Sequence, residues 1–526
     1  MRKLFNKYIL PATVAMGMFA SACTDNFEEI NDDPNLISDE ILEGDYQFVM
    51  AFYPQLARSI YFNFDNSNWR WQVQQNLNGD VFSGYMAPPT PFAANNNATH
   101  YALIWNSWPF SIAYTNVMGP ANEIERNKDI INPKLYAVSL VLKVMGMHRV
   151  TDIYGPIPYS EFGSSDFAIG YDSQEEVYTA FFNELNEAIA TLEADQSEIP
   201  AFSSVDDLYA GNFTQWLKFA NTLKLRLAMR ISNVDPATAK VQAEAAIASG
   251  TFVAGDIAQV NSDIIHPLAT VAHGWGDIKI GASIESIMKG LNDPRLSVFF
   301  SPSTLEGHEG EYLGIRQGVD LPDKDGSPYT QYSTVNEAYV NANSSILLMT
   351  GAEAFFLKSE AALKGWNAGG SAKELYEAGV TESLAQHGQT AAASAYLADD
   401  TSTPSDYVDP SQADGAYDIA AVSSVTVAWD DAFTAEQQLE QIITQKWIAG
   451  FPEGMEAWAE VRRTGYPKIF PVKYNKSGGS IPDGTFINRL PYPDSEAGNN
   501  PEGYAEAVQK LGGEDTGGTP LWWQSK

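Results

Sequence analysis

The amino-acid sequence predicts a mainly α-helical protein in which a more irregular, loop-rich half accompanies the helices. Three observations support this fold class: apolar residues recur at helical spacing, several helical segments follow one another as neighbouring pairs, and long polar insertions separate them. Within residues 134–150, Leu135, Val138 and Leu142 fall on one face of a helix. The other segments with this periodicity are 174–193, 213–232, 236–249, 351–366, 371–385 and 435–449.

Residues typical of helix ends support these segments. Asn212, Asp235 and Ser371 stand at expected N-cap positions, where their side chains accept hydrogen bonds from the first backbone amides. Residues 352–366 and 371–388 form the clearest pair, because two helices within about 34 residues resemble a tetratricopeptide unit. The exact period does not recur, so the sequence predicts a few degenerate helix pairs and no regular solenoid.

Long polar insertions lie between the helical segments. Connections longer than about 12–15 residues are uncommon unless they carry a function. Tryptophan and tyrosine are concentrated in these insertions, and we therefore expect the functional site there. The insertions cover residues 62–103, 252–280, 300–345, 389–432 and 466–526.

The composition excludes several classes of protein. The chain has 526 residues, of which 44% are hydrophobic, so it can bury a large core and is neither disordered nor fibrous. Its 66 acidic residues against 32 basic ones give a formal charge of −34, a field that repels phosphate backbones. We therefore expect no nucleic-acid partner. With one cysteine in the chain, a disulfide framework is excluded.

Residues 1–22 have the pattern of a secretory signal peptide. A basic start precedes an apolar run over residues 8–22 that is too short for a spanning helix, and Cys23 follows at once. Cys23 is either a spare residue near an ordinary cleavage site or the lipid-carrying first residue of a lipoprotein. Residues 20–22 (Ala-Ser-Ala) resemble a lipobox, and we predict lipidation of Cys23.

Six segments stand out along the chain: CTDNFEEINDDPN (23–35), RVTDIYGPIPYSEF (149–162), WLKFANTLKLRLAMRIS (216–232), NDPRL (292–296), QKWIAGFPEGMEAWAEVRRTGYP (445–467) and INRLPYPDSE (487–496). Each motif is weak alone, but together they cover most of the chain after the signal peptide. In this order they resemble one family, the SusD/RagB-like nutrient-binding outer-membrane lipoproteins of Bacteroidetes, in the SusD-like 2 branch.

The resemblance implies a SusD-like fold, in which four tetratricopeptide-like helix pairs accompany a loop-rich half that carries the ligand site. It implies one domain over residues 23–526, with insertions. It also implies a partner, a SusC-like TonB-dependent transporter of the outer membrane. Ligands of the family are usually oligosaccharides, although one RagB-like branch takes peptides. The acidic residues after Cys23 resemble the signal that marks export to the cell surface in this group.

The first candidate ligand segment is residues 61–86. Oligosaccharide binding needs flat aromatic faces against the sugar rings and polar side chains for the hydroxyl groups. On an extended strand Trp69 and Trp71 share a face, whereas on a helix they diverge by about 200°; both alternatives stay open here. Tyr85 precedes a proline-rich, surface-like loop. The candidates are Asp65, Asn66, Trp69, Trp71, Asn78, Asp80 and Tyr85.

Two further segments supply candidates. Trp275 stands between two glycines, which offer little side chain to bury it. Residues 314–336 contribute Arg316, Tyr329, Tyr332 and Asn336, while 320–327 has the composition of an ordinary solvated turn. Other tryptophans fall on helical segments or at the C-terminus and are predicted to be structural; Trp105 and Trp108 stay open. The structural set is Trp216, Trp447, Trp458, Trp522 and Trp523.

The sequence contains no pattern that predicts catalysis, a cofactor or a metal. It has no G-x-S-x-G, P-loop or G-x-G-x-x-G motif, and its six histidines form no H-x-x-x-H pair. We therefore predict a surface lipoprotein that captures oligosaccharides and delivers them to its transporter. Three rivals remain: a peptide-binding relative, an outer-membrane glycoside hydrolase, and a structural lid with negligible affinity of its own.

Overall fold

The computed structural model describes residues 46–61, 67–92, 98–164, 168–261 and 263–524. Cys23, Asp65 and Asn66 lie outside these ranges. The chain divides into two units, Met1–Met50 and Ala51–Lys526, and the described part of the first unit holds the short helix Gln47–Met50. All further description concerns the second unit.

Four consecutive helix pairs form the regular part of the fold, as predicted. In each pair the second helix packs against the first. The pairs are Pro133–Tyr154 with Gln174–Ala194, Phe213–Arg230 with Pro236–Ser249, Gly351–Leu363 with Ala372–Gln386, and Ala435–Ala449 with Gly454–Thr464.

Side-chain caps fix the starts of these helices. Asn212 and Asp235 accept hydrogen bonds from backbone amides of the first turn, and Ser371 forms a reciprocal capping box with Glu374. Each cap satisfies amides that the helix itself leaves unpaired, which contributes about 1 kcal/mol. These three sequence-based predictions are confirmed.

Buried ion pairs connect the helices of different pairs. Arg230 pairs with Glu456 at 2.5 Å and with Glu460 at 2.6 Å, and Lys446 pairs with the same carboxylates at 3.1 and 3.2 Å. Arg226 lies 3.7 Å from Glu456. We call these five side chains the ion network. Its members come from three helices and are almost wholly removed from solvent.

Shorter helices lie before, between and after the pairs. None of the helices in the described ranges combines the length and apolar character needed to cross a membrane. The shorter α-helices are Phe52–Ser59, Asn68–Trp71, Trp108–Ala113, Gly119–Arg126, Pro200–Ser203, Pro267–Ala269, Ala282–Gly290, Leu296–Phe299, Ala393–Leu397, Glu496–Asn499 and Pro501–Leu511. The π-helices are Gln72–Asp80, Tyr114–Met118 and Thr270–Gly274. The 3₁₀ helices are Ala98–His100, Pro328–Gln331, Thr390–Ala392 and Trp522–Gln524.

Three antiparallel two-stranded sheets lie within or beside the insertions in the described ranges. They are Met86–Ala87 with Lys279–Ile280, Ile257–Val260 with Ile346–Thr350, and Phe300–Ser301 with Thr334–Val335. Met86 is opposite Ile280, and an irregularity at Ala258 and Gln259 shifts the register of the second sheet. The first pairing connects the insertion at 62–103 to the one at 252–280.

The central part of the insertion at 62–103 is helical and buried, which decides between the extended and helical alternatives that the sequence left open. The helix Asn68–Trp71 continues directly into the π-helix Gln72–Asp80, and all nine residues of the π-helix are buried. This π-helix packs against Gly454–Thr464. Polar glutamine and asparagine side chains gave the segment the composition of a loop, although long-range packing places it in the interior.

Candidate ligand-binding site

Trp69 and Trp71 point in different directions because their segment is a helix. The side chain of Trp69 is 45% exposed, whereas Trp71 is 1% exposed and packs in the core. Residues two positions apart on a helix diverge by about 200°, so burial of one indole leaves the other in solvent. The alternative in which both rings share a face does not occur, and the surface position for Trp71 is wrong.

Trp69 lies beside a second tryptophan from the segment that follows. The rings of Trp69 and Trp108 meet edge to face, with centroids 4.9 Å apart and planes at 89°. The Arg70 guanidinium lies 5.5 Å from the Trp69 ring and 6.0 Å from the Trp108 ring, within cation–π range. Trp105, whose carbonyl accepts a hydrogen bond from the Trp108 amide, is 37% exposed.

Trp275 lies in the insertion 252–280. Two hydrogen bonds connect this insertion to the helical segment that contains Trp69. The Asn68 amide donates to Thr270 Oγ1 at 3.1 Å, and the Gln72 amide donates to Asp277 Oδ2 at 3.2 Å. Trp275 itself is 38% exposed and follows the π-helix Thr270–Gly274. We call Trp69, Trp105, Trp108 and Trp275 the tryptophan surface.

Polar groups lie at the edge of the tryptophan surface. Lys324 Nζ donates to the Trp275 carbonyl at 3.0 Å and to Asp277 Oδ1 at 3.2 Å. The Lys324 side chain remains largely exposed, so its ammonium group keeps capacity for a further hydrogen bond. Flat apolar rings with nearby charged and amide groups are the arrangement that recognises a pyranose ring and its hydroxyl groups.

Tyr85 is not at the surface, contrary to the prediction. Its side chain is 0% exposed, its hydroxyl donates to the carbonyl of Trp447, and its ring centroid lies 4.6 Å from the Trp447 ring. Burial raises the pKa of the Tyr85 hydroxyl well above its ordinary value. The paired strand Met86–Ala87 follows Tyr85 directly, and residues 88–90 of the proline-rich loop are buried as well, so the local surface signal was misleading.

Asn78 and Asp80 are buried in the π-helix, and their predicted surface positions are wrong too. The Asn78 amide donates to the carbonyls of Val73 and Gln74 at 2.8 and 3.0 Å. Asp80 Oδ2 accepts a hydrogen bond from the Asn76 amide at 2.9 Å, and burial raises the pKa of Asp80 to about 8. Their polar atoms serve the local backbone and a neighbouring side chain.

Tyr329 and Tyr332 form a buried cluster around Asp409. The Tyr329 hydroxyl donates to Asp409 Oδ2 at 2.9 Å, and the Tyr332 hydroxyl donates to Asp409 Oδ1 at 2.6 Å. Burial raises the pKa of both hydroxyls, and the carboxylate of Asp409 adds to this effect. We call these three residues the tyrosine cluster. Both tyrosines are at most 2% exposed, so neither ring offers an open face to a ligand, although the sequence selected both as ligand-binding candidates.

Arg316 and Asn336 also lie apart from the tryptophan surface. Arg316 is 7% exposed, and its guanidinium donates to the carbonyls of Tyr417 and Asp418 at 3.1 and 3.2 Å, contrary to the exposed role predicted for it. Asn336 is half-buried and lines a different cavity, where its amide donates to the Ser297 carbonyl at 3.2 Å.

The predicted structural tryptophans are confirmed where they are buried, and four residues of the candidate site were not among the sequence-based candidates: Arg70, Trp105, Trp108 and Lys324. Trp216, Trp447, Trp458 and Trp523 are at most 2% exposed, and Trp522 is half-buried. Trp105 and Lys324 were not selected from the sequence, because one stood before a helix and the other in an apparently ordinary turn. Across the described ranges, no group of three or more His, Cys, Asp or Glu is arranged to hold a metal ion.

Residues 29–524 match the family profile described as SusD-like, Susd and RagB outer membrane lipoprotein. The chain belongs to the SusD-like family. The match extends over nearly the whole sequence, and it confirms the resemblance that six short motifs indicated. It also supports an outer-membrane location for the protein, and it agrees with a mainly α fold built on tetratricopeptide-like pairs.

Solved structures of SusD homologues superpose closely on the chain. A chitin-binding SusD homologue from Flavobacterium johnsoniae is 45% identical, with a TM-score of 0.86, over 91% of this chain and 99% of that one. A homologue from Bacteroides vulgatus is 40% identical (TM-score 0.85; 92% and 99% covered), and one from Bacteroides uniformis is 36% identical (TM-score 0.82; 91% and 99% covered). A search of curated proteins returned no match.

Proposed function

We propose that this protein binds oligosaccharides at the cell surface and delivers them to a SusC-like TonB-dependent transporter, with no bond made or broken. The observation that carries the proposal is the tryptophan surface, where three indoles remain more than a third exposed in a chain that buries most of its other large aromatic rings. Membership of the SusD-like family and the chitin-binding relative support the same function.

The exposure of these rings has a thermodynamic meaning. Burial of apolar surface is favourable by about 25 cal/mol per Å², so an apolar side chain that stays in water does not gain this free energy. An indole has one of the largest apolar areas of any side chain. Trp69, Trp105 and Trp275 share this exposure within segments that hydrogen bonds hold together. A sugar ring that covers an indole recovers this free energy, and its hydroxyl groups bond to the polar edge at Lys324 and Arg70.

The ligand class proposed first is an oligosaccharide of N-acetylglucosamine. The support is the chitin-binding relative, which is 45% identical over 99% of its own length. Such a ligand is uncharged, so the strongly acidic field of this chain, −34 in formal charge, does not repel it. Its acetamido group offers both a donor and an acceptor for the polar edge of the tryptophan surface.

The anchor and the partner are part of the proposal. Removal of residues 1–22 leaves Cys23 as the lipid-bearing first residue, and several acyl chains together hold a protein durably at a membrane. Surface exposure places the tryptophan surface in contact with extracellular glycans. The transporter then receives the ligand, a step that needs affinity but no catalytic group.

The test is a glycan panel titrated by calorimetry with protein that starts at Thr24. The panel contains chitooligosaccharides, maltooligosaccharides, xylooligosaccharides and a mixed peptide pool, and new reducing ends are assayed in the same samples. Binding of one glycan class without new reducing ends supports capture. Released sugar indicates a hydrolase, and binding restricted to peptides indicates the RagB-like alternative; either result contradicts the proposal.

Two substitutions locate the binding. Trp69→Ala and Trp275→Ala should each weaken glycan affinity about tenfold, because each removes roughly 1.4 kcal/mol of ring contact. Trp366→Ala, which alters a half-buried tryptophan after the helix Gly351–Leu363, is the matched control and should leave affinity unchanged. Undiminished affinity in both site variants contradicts the proposed site. Undiminished uptake by cells that carry them indicates the structural-lid alternative.

A further inference from the structure

A cavity of about 670 Å³ lies apart from the tryptophan surface. Its walls come from the sheet strand Ile257–Val260, the segment from Asn336 to Leu347, and the end of the helix Ala372–Gln386. Its volume falls within the range of about 300–1,000 Å³ that is typical of small-molecule sites. Ala338 and Gln386, both exposed, line it, so the cavity is accessible from solvent.

The cavity lining carries no fixed charge. None of the described residues around it is Asp, Glu, Lys or Arg, although the whole chain carries a formal charge of −34. Burial lowers the pKa of His266 to about 4, and burial together with Arg295 lowers that of His387 to about 4, so both imidazoles are neutral at pH 7. A lining of this kind does not select for an ionic ligand.

Two histidine nitrogens beside this cavity lack a hydrogen-bond partner among the residues that the structure describes. His266 is 2% exposed, and its Nδ1 atom makes no hydrogen bond with the described chain; the same holds for the buried Nε2 atom of His387. Buried polar atoms in native proteins are bonded in the great majority of cases, to protein, water or ligand. Both nitrogens are shielded from solvent, so a ligand in the cavity contacts the amide groups and the tyrosine ring of the lining and does not reach these two atoms.

An aromatic wall and amide groups complete the lining. The Tyr339 ring is half-buried, lies 4.8 Å from the Phe299 ring, and is fixed by a hydrogen bond from its hydroxyl to the Phe451 carbonyl at 2.9 Å. Asn336 and Gln386 contribute side-chain amides. Neutral imidazoles, amides and an aromatic face are complementary to a molecule that has many hydroxyl groups and no charge.

We propose that this cavity is a second binding site, for an uncharged saccharide of one or two units. The choice of ligand class rests on the proposed function, whereas the existence of the site rests on the cavity itself. His266 precedes the helical segment Pro267–Gly274 and Trp275 follows it, so the two sites flank one segment. At 1.5 Å per residue the two ends lie no more than about 14 Å apart along its axis.

The test isolates the cavity by removing the other site. In the double variant Trp69→Ala/Trp275→Ala, titration with N,N′-diacetylchitobiose and with maltose should show residual binding of at least one disaccharide. Ala338→Trp then places an indole at the cavity and should weaken that residual binding at least about tenfold, equivalent to 1.4 kcal/mol. Ala395→Trp adds the same ring at an exposed alanine away from the cavity and is the matched control.

Gln386→Ala supplies a second variant with little expected effect on folding, because this side chain is exposed. It should weaken the residual binding about threefold to tenfold through loss of one hydrogen-bonding group. Absence of any disaccharide binding in the double variant overturns the proposal, and so does residual binding that Ala338→Trp leaves unchanged. Failure of the proposed function is a different result: the unmodified protein then releases sugar or binds peptides alone.

Discussion

The ion network and the tryptophan surface use their side chains in opposite ways. In the ion network, Arg230 and Lys446 each contact both Glu456 and Glu460, so the charged groups bond to one another inside the protein. At the tryptophan surface, Trp69 and Trp275 keep more than a third of their area in solvent. Groups already bonded within the fold have no capacity left for a ligand, whereas exposed rings with a polar edge retain it.

This contrast separates stability from binding. Substitutions in the ion network and at other buried polar side chains should change the free energy of unfolding and leave glycan affinity unchanged in the folded protein. Substitutions at the tryptophan surface should lower glycan affinity and leave the free energy of unfolding unchanged. Three substitutions at buried positions test the first half of this statement, each with a stability readout and a glycan titration on the same sample.

The largest effect is expected from Arg230→Met. It leaves Glu456, Glu460 and Asp152 buried without this partner, and removal of one member of a buried ion pair destabilises by about 3–5 kcal/mol. Urea denaturation measures the loss. The control is Arg126→Met, which breaks an exposed pair with Glu123 and should shift stability by no more than about 0.5 kcal/mol. Equal shifts in the two variants contradict this prediction.

A pH-dependent gain is expected from Asp80→Asn. Burial raises the pKa of Asp80 to about 8, so between its unfolded value of about 4 and pH 8 folding requires uptake of a proton. A raised carboxyl pKa contributes stability that is present at low pH and is lost as the pH rises through this range. The amide does not titrate, so the variant should be more stable by about 1–3 kcal/mol at pH 8.

The pH profile is the decisive readout for Asp80→Asn. Thermal unfolding measured from pH 4 to pH 8 should show an advantage that is small at pH 4 and grows with pH. Asp325→Asn, at an exposed aspartate, controls for the loss of one acidic side chain. A variant that is less stable than the unmodified protein at pH 8 contradicts the account of Asp80. Glycan affinity should be the same in all three proteins.

The smallest effect is expected from Tyr332→Phe in the tyrosine cluster. The substitution removes hydrogen bonds to Asp409 at 2.6 Å and to Ser411 at 2.9 Å and keeps the ring. Loss of the hydroxyl should lower stability by about 1–2 kcal/mol. Tyr474→Phe, at a tyrosine that is 40% exposed, is the control. A loss of glycan affinity in Tyr332→Phe would contradict this prediction, because it would show that the tyrosine cluster takes part in glycan binding.

The helix pairs could be predicted from the sequence because their signals are local. Apolar spacing and caps such as Ser371 depend on neighbours within one or two turns, and the structure has them where the sequence predicts. The six motifs, in their order along the chain, were enough to predict the family. The same reasoning failed for the insertion at 62–103. Gln72–Asp80 has a polar composition, and it is buried by packing against residues that are distant in the sequence.

The candidate site was harder to predict for the same physical reason. Trp69 and Trp71 have similar sequence contexts, and only the helix phase decides that one is exposed and the other buried. Tyr85 is buried against Trp447, which lies 362 positions further along the chain. Trp275 was selected correctly as an exposed ring because its glycine neighbours are a local cause, whereas the exposure of Trp105 has no such local signal.

A crystal structure of the mature protein with a chitooligosaccharide that the panel shows to bind tests the central claim most directly. The account predicts a pyranose ring in van der Waals contact with the indole of Trp69 or Trp275, with its polar groups directed towards Lys324 or Arg70. A ligand seated against Tyr329, Tyr332 or Tyr85, with the tryptophan surface still open to solvent, would contradict it.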